Sequence, residues 1–248
     1  MRAVVLPGSG SDDVFVRSVF TEPLRAVGIA LQAVAPRHGH DVIEGYRAEL
    51  DAALDTPGPL LVGGISLGAH VAASWAAKRR TAVGPRLAGL LLALPAWTGP
   101  AGDAAAALAA RATSAQARTH GVPAAVAAAG AGSPPWLAAE LARAWPRYGT
   151  GLAAALDAAA AEPAPDAAAL RSLAVPAGIA ALVDDPVHPL TVAEHWRGVL
   201  PRAVLLSAPL ALLGADPAVL GRAAVLAWLR AARAGSPGSN RGHPTISP

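Results

Sequence analysis

Gly64-Ile65-Ser66-Leu67-Gly68 stands between an apolar run, Leu60-Leu61-Val62, and an Ala-rich stretch long enough to form a helix. Gly-x-Ser-x-Gly at a strand-to-helix junction is the pattern of a sharp, strained turn that lifts a serine hydroxyl above a sheet. The glycines matter because strand and helix must close tightly on one another there. A chain built around such a turn needs a sheet covered by helices, and the remaining sequence alternates accordingly. Short apolar runs ending in Gly or Pro recur, with helix-length stretches between them, as expected of a parallel sheet covered on both faces.

The pattern predicts strands at Ala3 to Leu6, Ile29 to Ala35, Leu60 to Ile65, Leu87 to Leu94, Ala177 to Val183 and Arg202 to Leu206. Helices are predicted at Val14 to Val27, Asp41 to Leu54, Gly68 to Arg80, Leu190 to Val199 and Pro217 to Ala232. The fold class is α/β, a doubly wound and mostly parallel sheet of about six strands. After the fourth strand the alternation gives way to Ala-rich segments, Asp103 to Ala129 and Pro135 to Ala161, broken by Gly and Pro. Residues 101–172 are therefore a helical insertion, either filler or a lid over one end of the sheet, within a single domain at 1–234. The last stretch, 235–248, is rich in Gly, Ser and Pro without an apolar pattern and reads as a disordered tail.

Composition removes several classes of function. Lys78 is the sole Lys, and the Arg residues are scattered apart from Lys78-Arg79-Arg80, so the net charge of +3 forms no stripe suited to nucleic acid. With 53% hydrophobic residues the chain can build a large core, yet no apolar run approaches the roughly 20 residues of a membrane span. The absence of Cys excludes disulfides and a thiolate nucleophile. Only four apolar residues separate Arg2 from Pro7, too few for a signal peptide, so a cytoplasmic location is expected. Heavy use of Ala, Arg, Gly and Pro fits a GC-rich bacterial genome. No metal or other cofactor is expected, because His38-x-His40 lacks a third ligand.

Gly64-Ile65-Ser66-Leu67-Gly68-Ala69-His70 resembles the nucleophile turn of lipases and esterases of the α/β-hydrolase family, and the likeness extends over most of the chain. Leu6-Pro7-Gly8-Ser9-Gly10 is similar to that family's His-Gly oxyanion loop, with Pro7 in place of the His, and His38-Gly39-His40-Asp41 is similar to a string after its next strand. The resemblance implies Ser66 as nucleophile and an oxyanion hole from the amides of Leu67 and of Ser9 or Gly10. It implies an acid after a late strand, four residues ahead of a Pro, which is Asp185 ahead of Pro189. The lesser reading has Asp184 and Asp185 as plain turn residues before Pro186, and Asp103 is a weaker alternative for the acid.

The histidine breaks the pattern. Family members carry it after the last strand, where this chain reads Leu206-Ser207-Ala208-Pro209-Leu210 through Asp216 without one. Of the seven His, His120 and His195 fall in helices, His243 in the tail, and His70 one turn beyond Ser66, where packing or a hydrogen bond beneath the site explains it; His38 and His40 follow the second strand. That leaves His188, which shares a loop with Asp185, as the base, with a solvated loop residue as the other reading. Trp97, Trp136, Trp145 and Tyr148 are core residues or the lining of an apolar acyl pocket.

Two functions follow. One is a cofactor-free serine hydrolase acting on a small ester or thioester through an acyl-enzyme. The other is a hydrolase-fold protein without catalysis that binds a small molecule or a protein partner. A dinucleotide site on Gly8-Ser9-Gly10 lacks its third glycine. Oligomeric state is left open by the sequence.

Overall fold

A computed structural model describes residues 1–234, so the predicted tail lies outside the described residues. Six parallel strands form one sheet in the order β2-β1-β3-β4-β5-β6. They are β1 (Arg2–Leu6), β2 (Ala30–Ala33), β3 (Leu60–Ile65), β4 (Leu87–Ala93), β5 (Ala177–Leu182) and β6 (Ala203–Ala208). The helices are α1 (Asp13–Arg25), α2 (Val42–Ala52), α3 (Leu67–Val83), α4 (Ala105–Ala131), α5 (Pro135–Tyr148), α6 (Leu152–Ala161), α7 (Ala167–Arg171), α8 (Leu190–Val199), α9 (Leu210–Ala215) and α10 (Ala218–Ala234). Every predicted strand is present, and β2 is shorter than predicted. Two short helices, α7 and α9, were not foreseen; each is too brief to leave a 3.6-residue apolar rhythm.

Alternation along the strands divides the core in two. Val4, Leu6, Leu60, Val62, Leu90, Leu92 and Ile179 pack with residues of α2, α3 and α8 on one face. Ala3, Val5, Leu61, Ile65, Leu91, Ala180 and Leu182 pack with α1 and α10 on the other. Because both faces are covered, the central strands read as unbroken apolar runs. The insertion, α4 to α7, joins the first of these clusters through Ala107, Ala144, Trp145, Leu152 and Leu156. α4 is kinked at Gly121, whose φ of 81° precedes Pro123.

The carboxyl ends of β1, β3 and β5 lie on one edge, where the sheet order reverses between β1 and β3. Open parallel sheets bind ligands at that edge and near that reversal. Among the described residues no helix is long and apolar enough to cross a membrane.

Close packing of α10 on β5 depends on Gly178, where an added Cβ would stand 2.1 Å from the Ala224 carbonyl oxygen and 2.5 Å from the Trp228 nitrogen. Gly178→Ala should lower stability by about 1–3 kcal/mol, through overpacking against backbone that has no rotamer to yield. Gly198→Ala, in α8 with open space around the new methyl, should be neutral or stabilising by up to about 1 kcal/mol. Urea unfolding of the two variants checks this; equal midpoints would contradict it.

Candidate active site

Ser66 joins β3 directly to α3, with φ 52° and ψ −114°. This backbone conformation is strained for a residue with a Cβ. It persists because its surroundings leave no alternative. The Ser66 amide donates to the Ala93 carbonyl of β4 at 2.8 Å, while the Ser66 carbonyl accepts from the amides of Ala69 and His70 in the first turn of α3. Gly64 and Gly68 are the contact points: a Cβ on Gly64 would stand 2.6 Å from the Gly68 Cα, and one on Gly68 would stand 2.4 Å from the Leu6 carbonyl oxygen. Both glycines thus allow α3 to start against β1 and β3.

The loop after β5 delivers the groups that face this serine. The His188 Nε2 is 2.9 Å from the Ser66 Oγ, and its Nδ1 is 2.8 Å from the Asp185 Oδ2. A carboxylate only accepts, so the proton sits on Nδ1 and Nε2 is left to accept from the serine hydroxyl. The other carboxylate oxygen of Asp185 accepts from the amides of Val187 at 2.8 Å and His188 at 3.1 Å. Burial works to raise the Asp185 pKa, but the His188 ring and these two amides outweigh it and hold the group below the ordinary carboxylate value.

The loop after β1 supplies the opposite wall. A Cβ on Gly8 would lie 3.5 Å from the Ser66 Cβ. Among the described residues the Ser9 and Gly10 amides make no backbone hydrogen bond. Leu67 is the first residue of α3, whose opening amides have no acceptor within the helix. Above Ser66 opens a cavity of about 420 Å3 that Ser9, Gly10, Asp185 and His188 also line. Its walls are mostly apolar, with Ala106 and Ala110 from α4, Leu137 and Trp145 from α5, and Leu213 from α9, and Glu140 of α5 adds a carboxylate.

Comparison of the sequence with protein-family models and with curated proteins gives no match. Solved structures do match in shape. A thermophilic esterase from Thermogutta terrifontis, 18% identical, superposes with a TM-score of 0.66 over 94% of this chain and 90% of its own. A bromoperoxidase from Bacillus anthracis, 15% identical, gives 0.67 over 92% of each chain. The enol-lactonase from Burkholderia xenovorans LB400, 14% identical, gives 0.63 over 84% of this chain and 82% of its own. The chain has the α/β-hydrolase fold.

Within the α/β-hydrolase fold this chain departs at the segment after β6, where the resemblance leads one to look for a histidine. That segment forms α9, whose first amide, from Leu210, donates to the Asp184 carboxylate at 2.6 Å. α9 turns Leu210 and Leu213 into the cavity wall. A Cβ on its Gly214 would lie 2.3 Å from the Trp136 ring, so α9 also seats the start of α5. The adjacent aspartates therefore have separate partners: Asp184 holds α9, and Asp185 holds His188.

The other candidates from the sequence lie elsewhere. Asp103 is exposed in the turn before α4 and does not line the cavity; His38, His40, His120 and His195 are exposed, and His243 lies outside the described residues. No cluster of three metal-ligating side chains occurs among the described residues. Of the four aromatics, Trp136 and Trp145 line the cavity. Trp97 instead packs on His70 with ring centroids 4.5 Å apart, and Tyr148 on His38 at 5.0 Å.

Asp12 stands just ahead of α1, where an Asp suits a helix cap. Asp12 does cap α1, accepting from the amides of Val14 and Phe15. It is also the partner of Arg143 and Arg147 on α5. No local signal could reveal that pairing across more than a hundred residues.

His70 is wholly buried, and its Nε2 accepts from the Ala96 amide at 2.9 Å. Burial, reinforced by the nearby His188, pushes its pKa down from 6.5 to about 3. Between those values the unfolded chain binds a proton that the folded chain refuses, so stability must fall as pH falls through this window. His70→Gln should flatten the dependence of unfolding free energy on pH between 6 and 4.5 by about 1 kcal/mol per pH unit. Urea titrations of parent and variant at several pH values check this; parallel curves would contradict it.

Proposed function

We propose that this protein is a serine hydrolase acting on a small, uncharged ester or thioester through an acyl-enzyme. One observation carries the reading: a single imidazole, His188, lies within hydrogen-bond reach of both Ser66 and Asp185. The Ser66 oxygen attacks the substrate carbonyl while His188 Nε2 takes the hydroxyl proton, and the C=O bond becomes a tetrahedral oxyanion. Amides of Leu67 and of Ser9 or Gly10 receive that oxyanion. Asp185 holds the tautomer and stabilises the imidazolium.

Collapse of the intermediate expels the alcohol or thiol, which leaves with the proton from His188. Water, deprotonated by the same ring, then releases the acid and restores Ser66. The largely apolar cavity favours an uncharged acyl or alkoxy group, since Glu140, the carboxylate in its wall, is already paired with Arg143 and the surrounding Ala, Leu and Trp side chains offer a buried charge no partner. The helices of 101–172 act as a lid, forming most of the wall that separates the ester from water. Names of the structural neighbours, esterase and enol-lactonase, agree with ester chemistry. The non-catalytic reading rests on the histidine missing after β6, and the distances from His188 to Ser66 and Asp185 favour the hydrolase reading over it.

Hydrolysis of a panel of short-chain p-nitrophenyl esters tests the proposal. The parent should turn them over. Ser66→Ala and His188→Gln should each lower kcat by about 10⁴-fold or more, since members of a triad act as a unit. Asp185→Asn should cost about 10²–10⁴-fold, through the wrong tautomer. Comparable turnover by the Ser66→Ala protein, or none by the folded parent, would contradict it.

A further inference from the structure

Asp12 closes the loop that runs from β1 past Ser66, and it is only 3% exposed. One of its oxygens caps α1, accepting from the Val14 amide at 3.0 Å and the Phe15 amide at 3.2 Å. Both oxygens also face α5. Arg143 grips them with two nitrogens, at 2.8 and 2.7 Å, and Arg147 adds a contact at 3.1 Å. Arg143 is itself aimed by Glu140, one turn earlier on α5. A planar guanidinium held on both sides by carboxylates has little freedom to turn.

The same helix grips the two preceding residues. The Tyr148 hydroxyl donates to the Ser11 carbonyl. The Trp145 indole lies against Gly10, where an added Cβ would stand 2.8 Å from its Nε1. Gly10 has a φ of 66°, so it tolerates both the turn and the indole. Gly8, at the other end, rests against Ser66. Ser9 and Gly10 are the two central residues of a turn closed by the Ser11 amide, which donates to the Gly8 carbonyl at 3.2 Å, and among the described residues their own amides make no backbone hydrogen bond.

We infer that Arg143 is a positioning residue: by clamping Asp12 it sets the loop amides of Ser9 and Gly10 against Ser66, so that the insertion tunes the oxyanion hole as well as roofing the cavity. This rests on the hydrolase reading. Arg143 touches neither Ser66 nor His188; it reaches the loop through Asp12 and also holds Glu140 in the cavity wall. Its loss should therefore leave ester binding nearly unchanged and weaken the tetrahedral state, where a donor displaced by a fraction of an ångström loses most of its effect.

The test compares the parent with Arg143→Gln, Arg143→Lys, Arg147→Gln and the double variant Asp12→Asn with Arg143→Gln. Each is read by kcat and KM on a p-nitrophenyl ester and by inhibition with an arylboronic acid. In the inhibited complex the Ser66 oxygen bonds to boron, its proton passes to His188, and the boron becomes a tetrahedral anion. Arg143→Gln should lower kcat by about 10- to 100-fold with KM within about threefold, and should weaken boronate binding by the same factor. Binding of benzyl alcohol, a neutral competitor that forms no oxyanion, should be unchanged. Arg143→Lys, which keeps the charge without the fork, should recover part of the loss, and Arg147→Gln should change little.

The double variant guards against misfolding, because a neutral Asn keeps the cap on α1 and leaves no unpaired buried charge. It should fold and still show the kcat and boronate deficits. Full kcat in either folded Arg143→Gln protein, or equal loss of benzyl alcohol and boronate binding, overturns the inference while the hydrolase reading stands. A parent that neither turns over the ester nor binds the boronate overturns both.

Discussion

The turn at Ser66 is the constraint to which the rest of the molecule conforms. Holding a non-glycine residue at positive φ costs on the order of 1–3 kcal/mol. That cost is offset by the hydrogen bond to Ala93 and by the packing that Gly64 and Gly68 permit. Because α3 starts against the Leu6 carbonyl, β1 must run beside β3, and its following loop must pass Ser66. The parallel pairing of β3 with β4, and of β4 with β5, then brings the loop after β5 to the same edge.

The proposed acid and base share that one loop. In Asp185-Pro186-Val187-His188 a single carboxylate organises its own partner: one oxygen fixes the backbone of the loop, and the other fixes the imidazole. A short loop tied in this way has few conformations to lose when the proton moves, which favours preorganisation over rearrangement. In the proposed reaction it also leaves the segment after β6 without a chemical part. Leu210 and Leu213 of α9 can then serve as apolar wall.

The sheet was legible because its information is local. Each strand is an apolar run with a turn signal, and Ser66 is framed by glycines that the turn requires. The placement of His188 between Ser66 and Asp185 was expected by elimination and from its nearness in sequence to Asp185. The Asp12 clamp was not, because Arg143 and Arg147 look like ordinary surface residues of a helix until the chain is folded. α9 escaped notice for a related reason: six residues carry too little periodicity, and its capping contact comes from Asp184, on another loop. Long-range polar pairing leaves no mark on local pattern.

In the proposed reaction His188 activates Ser66. The most direct measurement is the rate at which a fluorophosphonate forms a covalent adduct, read by intact mass and peptide mapping in the parent and in His188→Gln. One adduct is expected on the parent, located at Ser66, with labelling slower by at least about a hundredfold in the variant. Equal rates in the two proteins, or no adduct on the folded parent, would contradict it.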